Sequence, residues 1–179
     1  MSAEVERAKA HYEGLKNAAR RAASLALRAA GLHVTIVGWS RRTADAIEGQ
    51  WGDERRPDAS WLWSEIFRRY SDFKNMSFAV WTGDGRGDDD RLVAVGIVLL
   101  TRTAATVRIV EGDPRAGCEF KGKRVLMALE VATNYALANG LAELRIQPLN
   151  DALAKVYEDV YGFSLVKAKG AEPYWRRVI

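Results

Sequence analysis

The sequence predicts an α/β fold of the α+β mixed-sheet kind, one β-sheet with helices on its faces. Three observations carry that prediction. Short apolar runs rich in β-branched residues recur at 33–37, 76–82, 92–102 and 105–111. Longer segments with apolar residues three and four apart stand between and after them. Three strand runs follow one another without a helix, and the final third alternates helix and strand. The order after residue 32 is therefore β-α-α-β-β-β-α-β-α-β-β, which is not a doubly wound sheet.

The elements follow in chain order. Residues 2–31 read as one long helix with Gly31 as its stop. Val5, Ala8, Tyr12, Leu15, Ala19, Ala22, Ala26 and Ala29 mark a heptad seam, mostly of alanine. Alanine buries little area, so this helix needs a close-packed surface to lie on. That surface is one side of the domain or a second copy of the chain, which makes a homodimer the alternative. The reading divides the chain into a helical extension, 1–31, and a domain, 32–179.

His33 to Val37 is a short strand. Thr43 to Gln50 is a short helix with Thr43 near its cap, and Gly49, Gly52 and Pro57 break the chain after it. Asp58 or Ser60 opens a helix reaching about Asp72. Strands at 76–82, 92–102 and 105–111 follow, the first two joined by a solvated Gly-Asp-Gly-Arg-Gly-Asp-Asp-Asp loop. The last of them places Val107, Ile109 and Glu111 on one side. An irregular loop at 112–121 leads to helix 122–139, strand 142–147, helix 151–161, and strands 163–168 and 173–178.

Composition narrows the function. The 179 residues, 48% hydrophobic and 28% charged, suit one globular domain. No apolar run approaches the roughly 18 residues of a membrane span, so no membrane partner is expected. The start lacks a signal peptide's apolar core. A lone Cys118 allows no internal disulfide and points to a reducing cytoplasm. Two His and one Cys argue against a protein-built metal site. A net charge of +4 suits a phosphate-bearing cofactor. It is too small to make nucleic acid an obligatory partner, and Asp88, Asp89 and Asp90 dilute it.

Three places carry candidate chemistry. Lys121, Lys123 and Arg124 surround Gly122 where a helix begins. Backbone N–H groups and the helix dipole there attract an anion, and the cations suit a pyrophosphate. The plain alternative is a solvated basic helix start. Tyr157 lies beside Leu153, Val156 and Val160, the apolar positions expected to form the core face of its helix. A phenol with pKa about 10 can protonate a departing thiolate of pKa about 8.5; the alternative is an ordinary core tyrosine. Glu111 ends a strand, where a carboxylate can take a proton from an attacking ammonium directly or through water; the alternative is an exposed strand-end residue. Asp113, Glu119 and His33 are weaker candidates for that role. Cys118 has no evident His partner for covalent catalysis.

As an ordered set these features resemble the GCN5-related N-acetyltransferase (GNAT) superfamily, from about residue 32 to the C-terminus. The resemblance is most specific at Asn150-Asp-Ala-Leu-Ala-Lys-Val-Tyr157-Glu-Asp-Val-Tyr-Gly162-Phe163. This is similar to the family's Asn, Tyr and Gly-Phe signature, with one extra residue between Tyr157 and Gly162. The family's phosphate loop resembles Lys121-Gly-Lys-Arg124-Val-Leu126, although Arg124 and Leu126 stand where the family has small residues. The loop from Gly112 to Glu119 is longer than the family's turn.

The resemblance implies two parallel strands, 105–111 and 142–147, that splay apart around acetyl-CoA or another acyl-CoA. It implies pantetheine pairing near Val110 and a pyrophosphate on Lys121, Gly122, Lys123, Arg124, Val125 and Leu126. It gives Tyr157 the place near the thioester sulfur, and Asn150 that of a family asparagine, whose plainer role is a helix cap. The implied activity is N-acyl transfer to an amine by direct attack on the thioester. The amine belongs to a small molecule, a peptide or protein, or an aminoacyl-tRNA. Trp51, Trp61 and Trp63 with Asp53, Glu54, Asp58 and Glu65 would suit an amine with an apolar body, or are simply core tryptophans and surface acids. An acyl carrier protein as donor, or a non-catalytic binding module of the same fold, are the competing readings.

Overall fold

The computed structural model describes residues 2–52, 62–167, 170 and 172–179. Its helices are α1 (Ala3–Ala29), α2 (Arg41–Ala46), α3 (Trp63–Arg69), α4 (Arg124–Ala138) and α5 (Asp151–Asp159). Its strands are β1 (Val34–Val37), β2 (Met76–Thr82), β3 (Leu92–Leu100), β4 (Ala105–Gly112), β5 (Glu143–Ile146), β6 (Ser164–Val166) and β7 (Tyr174–Val178). This is the expected order. The strands form one sheet in the order β1-β2-β3-β4-β5-β7-β6, antiparallel except where β4 meets β5.

Two apolar layers sandwich the sheet. Under α1 and α4 lie Leu27, Val34, Phe78, Val80, Met127, Val131 and Tyr135. Under α2 and α3 lie Trp51, Trp63, Trp81, Leu92, Val95 and Ile97. Trp51 and Trp63 are thus core residues. Trp61, Asp53, Glu54 and Asp58 lie outside the described residues, as does the expected helix start at Asp58 or Ser60.

α1 covers the domain, but not with the expected seam. It buries Lys16, Ala19, Arg20, Ala23, Ser24 and Leu27, while Ala22, Ala26 and Ala29 are exposed. A straight helix drifts about 20° per heptad from a strict seven-residue repeat, so the contact stripe leaves the alanine seam. Small Ala19 and Ala23 let α1 approach α4 and β1 closely. Arg20 is also in the stripe: its Nη2 donates to the Ser77 carbonyl at 3.0 Å and its Nη1 to Asn17 at 3.0 Å. Burial lowers its pKa, against the pull of Glu13.

α2 begins two residues before the expected helix, capped by Ser40 rather than Thr43: the Ser40 hydroxyl accepts from the Thr43 N–H at 3.3 Å. It widens into a π-helical turn, Ile47–Trp51. That turn delivers Trp51, whose Nε1 donates to the Leu92 carbonyl at 3.0 Å. Asp90 closes the predicted hairpin loop by accepting from the Arg86 and Gly87 N–H groups at 2.8 and 2.9 Å.

One irregularity organises the centre of the sheet. Ile97 pairs with Ile109, but Val98 pairs with Val107, so Arg108 is an extra residue in β4. This bulge reverses the phase of the strand. Val107 faces the α1/α4 layer, whereas Ile109 faces the α2/α3 layer. The expectation that Val107, Ile109 and Glu111 share a side is therefore corrected: a period of two holds only where no bulge intervenes. Gly96 sits opposite the bulged segment, where a Cβ would come within 2.4 Å of Phe78 and 2.8 Å of the Ile109 carbonyl.

Candidate active site

β4 and β5 pair through three positions only, Ala105 with Leu144, Thr106 with Arg145 and Val107 with Ile146. β4 then continues past its bulge to Gly112, while β5 stops. Pro148, which has no N–H to extend a ladder, turns the chain toward α5. The strands splay, and a cleft of about 510 Å³ opens between them. Its walls include Val110 on β4, Arg124 and Val125 on α4, Leu153 and Tyr157 on α5, and Arg69 and Tyr70 at the end of α3.

The basic loop stands at one end. Lys121, Gly122 and Lys123 are exposed, and Gly122 takes φ +84°, which only glycine adopts easily. Lys123 occupies the N-cap position of α4 without a side-chain cap. The first intrahelical bond runs from Met127 N–H to the Lys123 carbonyl at 3.1 Å, so the Val125 and Leu126 N–H groups have no acceptor within the helix. The Leu126 side chain is 39% exposed. Arg124 lies between the cleft and a neighbouring cavity of about 340 Å³ that Lys121, Gly122 and Gly112 also line. A Cβ at Gly112 would come within 2.9 Å of Arg124 Cδ. The bulk of Arg124 in the loop is thus accommodated by a glycine on β4.

Tyr157 is buried and belongs to the cleft wall. The helix that carries it faces otherwise than its apolar spacing predicts. Ala154 and Tyr157 are buried and Leu153 half-buried, but Val156 and Val160 are 41% and 68% exposed. α5 lies over the splay rather than on a continuous sheet, so only a narrow stripe meets protein. The Tyr157 ring packs against Phe163 and Tyr161 at 6.2 and 6.4 Å. Burial raises its pKa, with Arg124 pulling the other way and Tyr161 adding to the rise. Its hydroxyl has no hydrogen-bond partner among the described residues. Asn150 caps α5, its Oδ1 accepting from the Leu153 N–H at 2.9 Å.

Glu111 is buried on the α3 side of β4, outside the cleft wall. Its Oε2 accepts from Trp63 Nε1 at 2.6 Å. Asp113 is also buried and is held by Arg115, whose Nε and N–H donate to Oδ1 at 2.8 and 3.0 Å. Glu119 and His33 are exposed. Burial pushes the Cys118 thiol up, away from the thiolate a nucleophile needs. Sequence reasoning missed Arg108, Arg69, Tyr70 and Gln147. Arg108 bridges the splay, Nη1 donating to Gln147 Oε1 at 2.8 Å and Nε to the Tyr70 hydroxyl at 3.2 Å. Its signal was a lone cation inside an apolar strand.

No family model matches the sequence, and no curated protein does. Solved structures do. An acetyltransferase of the GNAT family from Staphylococcus aureus Mu50 matches with a TM-score of 0.53 at 10% identity, over 81% of this chain and 98% of its own. The ribosomal-protein-S18-alanine N-acetyltransferase from Escherichia coli matches at 0.52 and 18%, over 80% of this chain and 90% of its own. A tyrosine-to-phenylalanine mutant of the toxin AtaT, bound to the C-terminus of the antitoxin AtaR and acetyl-CoA, matches at 0.56 and 14%, over 82% and 93%. The chain has the GNAT acetyltransferase fold. At such identities the fold is what is shared; the chemistry has to be argued from the site.

Proposed function

We propose that the protein transfers an acyl group from acyl-CoA to an amine. The carrying observation is the splayed β4–β5 cleft, with the basic start of α4 at one end and a buried tyrosine in its wall. The pyrophosphate would rest on Lys121, Gly122, Lys123 and the backbone of Val125 and Leu126, with Arg124 beside it. Pantetheine would lie along the edge of β4 near Val110, which β5 no longer covers. The AtaT structure, which holds acetyl-CoA in a similar fold, supports acyl-CoA as the co-substrate.

The amine attacks the thioester carbonyl carbon and a C–N bond forms. Charge moves to the carbonyl oxygen, where a backbone N–H of β4 stabilises it. The C–S bond then breaks, and the leaving thiolate takes the Tyr157 proton. A phenol whose pKa is raised stays protonated and available. The amine's own proton leaves to Glu111 through water. Since Glu111 also holds Trp63, Glu111→Gln tests both roles. A rate restored at high pH indicates a proton acceptor; a rate lost at every pH together with a lowered melting temperature indicates support of Trp63.

Calorimetric titration with acetyl-CoA, and with desulfo-coenzyme A as control, tests the reading. Micromolar binding is expected, weakened about tenfold by Lys121→Ala with Lys123→Ala. Absence of binding overturns the coenzyme A site.

A further inference from the structure

We infer that the acceptor amine itself carries an anionic group, a carboxylate or a phosphate, which Arg108 and Arg69 hold. The inference rests on the cleft being the acyl-transfer site. Three arginines, 69, 108 and 124, line the cleft, and among the described residues no Asp or Glu does. Arg124 is committed to the donor end, since its stem lies against Gly112. Arg108 stands four residues back along β4, about 13 Å away at roughly 3.3 Å per residue. It meets Tyr70, the neighbour of Arg69, at the end of α3. Two guanidiniums therefore line the cleft around Tyr70, away from the strand end at Gly112 that meets Arg124.

Among the described residues neither is neutralised there. Both side chains are exposed, and the hydrogen-bond partners of Arg108, Tyr70 and Gln147, are uncharged. The nearest carboxylate of this network, Glu172, accepts from Gln147 Nε2 at 2.9 Å and is not paired with Arg108. Arg69 lies 5.7 Å from the Tyr70 ring and makes no ion pair among the described residues. A carboxylate or phosphate reaching this end replaces neutral partners with charge-assisted bonds to planar donors.

The same positive field has two further consequences. It disfavours the ammonium form of an incoming amine, which helps to supply the neutral nucleophile. It also repels polyamines. Ile66, Ile109 and Leu149 leave apolar surface beside the arginines, so the class indicated is an amine with an apolar body and an anionic head.

Acceptor competition with acetyl-CoA as donor, read as released thiol, tests this. Phenylalanine is compared with phenylalaninamide and phenethylamine, O-phosphoethanolamine with ethanolamine, and spermidine serves as the polycation. The anionic member of each pair is expected to show kcat/KM about 10- to 100-fold higher, the scale of a charge-assisted pair. Whichever pair shows the larger ratio identifies carboxylate or phosphate as the source of the charge. Arg108→Met should erase the preference, Arg108→Lys should restore part of it, and Arg69→Met should reduce it. Acetyl-CoA titrated against each variant separates a lost acceptor contact from a collapsed cleft. If no acceptor turns over, the panel is titrated onto the acetyl-CoA-loaded protein, where the anionic members should bind more tightly. Preference for neutral amines or spermidine, in rate or in binding, or preference that survives Arg108→Met, overturns the inference while leaving acyl transfer standing. Loss of acetyl-CoA binding in the wild type overturns both.

Discussion

α4 and α5 border the same cleft and are held in opposite ways. α4 buries Met127, Ala128, Leu129, Val131, Ala132, Tyr135 and Ala136 among its 15 residues, with the sheet below and α1 beside it. α5 buries only Ala154 and Tyr157 among nine. Its other ties include the Asn150 cap, a hydrogen bond from the Phe163 N–H to the Tyr157 carbonyl at 3.0 Å and one from Trp175 Nε1 to Glu158 at 2.7 Å. The basic start of α4 therefore belongs to a well-buried helix, while Tyr157 rides on one with few buried residues. Both helices line the cleft, α4 through Arg124 and Val125 and α5 through Leu153 and Tyr157, but only α4 is also a main part of the core.

Four experiments bear on that contrast. Deleting residues 2–29 should have the largest effect, because it strips the cover from α4 and exposes the sheet end under Leu27. Loss of cooperative melting by circular dichroism is expected; a truncated protein melting within a few degrees of the full chain would show that α1 is a dispensable extension. Met127→Ala should cost about 2–5 kcal/mol in urea unfolding, since the side chain is fully buried. A loss under about 1 kcal/mol would mean that α4 is less tightly packed than its burial implies.

Tyr157→Phe should lower kcat roughly 100-fold with little change in stability. The raised pKa puts the wild-type alkaline limb above the ordinary tyrosine value of 10.0, because the acid works while protonated and fails as pH climbs past its pKa. The Phe variant should have no such limb, and undiminished turnover would remove the general-acid role. Val160→Ala, at an exposed position on α5, should change unfolding free energy by less than about 0.5 kcal/mol; a larger loss would show that α5 is packed more firmly than its exposure suggests.

Much of the site could be read locally. The basic residues around Gly122, the Asn150 cap and the tyrosine at 157 fall where sequence patterns place them, because helix starts and caps are set by neighbours a few residues away. The facing of α5 was not legible in the same way. Val156 and Val160 look like core residues by spacing, and only the gap left by the splay puts them in solvent. The position of Arg108 was not legible either, because nothing in Val-Arg-Ile-Val signals a bulge.

The order of the elements, the mixed sheet and the basic helix start were legible in the sequence. These depend on periodicity, capping and turn residues, which act over one or two turns of chain. Only the tertiary structure decided which stripe of α1 is buried, which face of the sheet Ile109 meets, that Glu111 is bonded to Trp63, and that Arg108 spans to Gln147. Each of these depends on register between distant strands. A one-residue bulge reverses every side chain beyond it, and no local pattern records where the partner strand will require it.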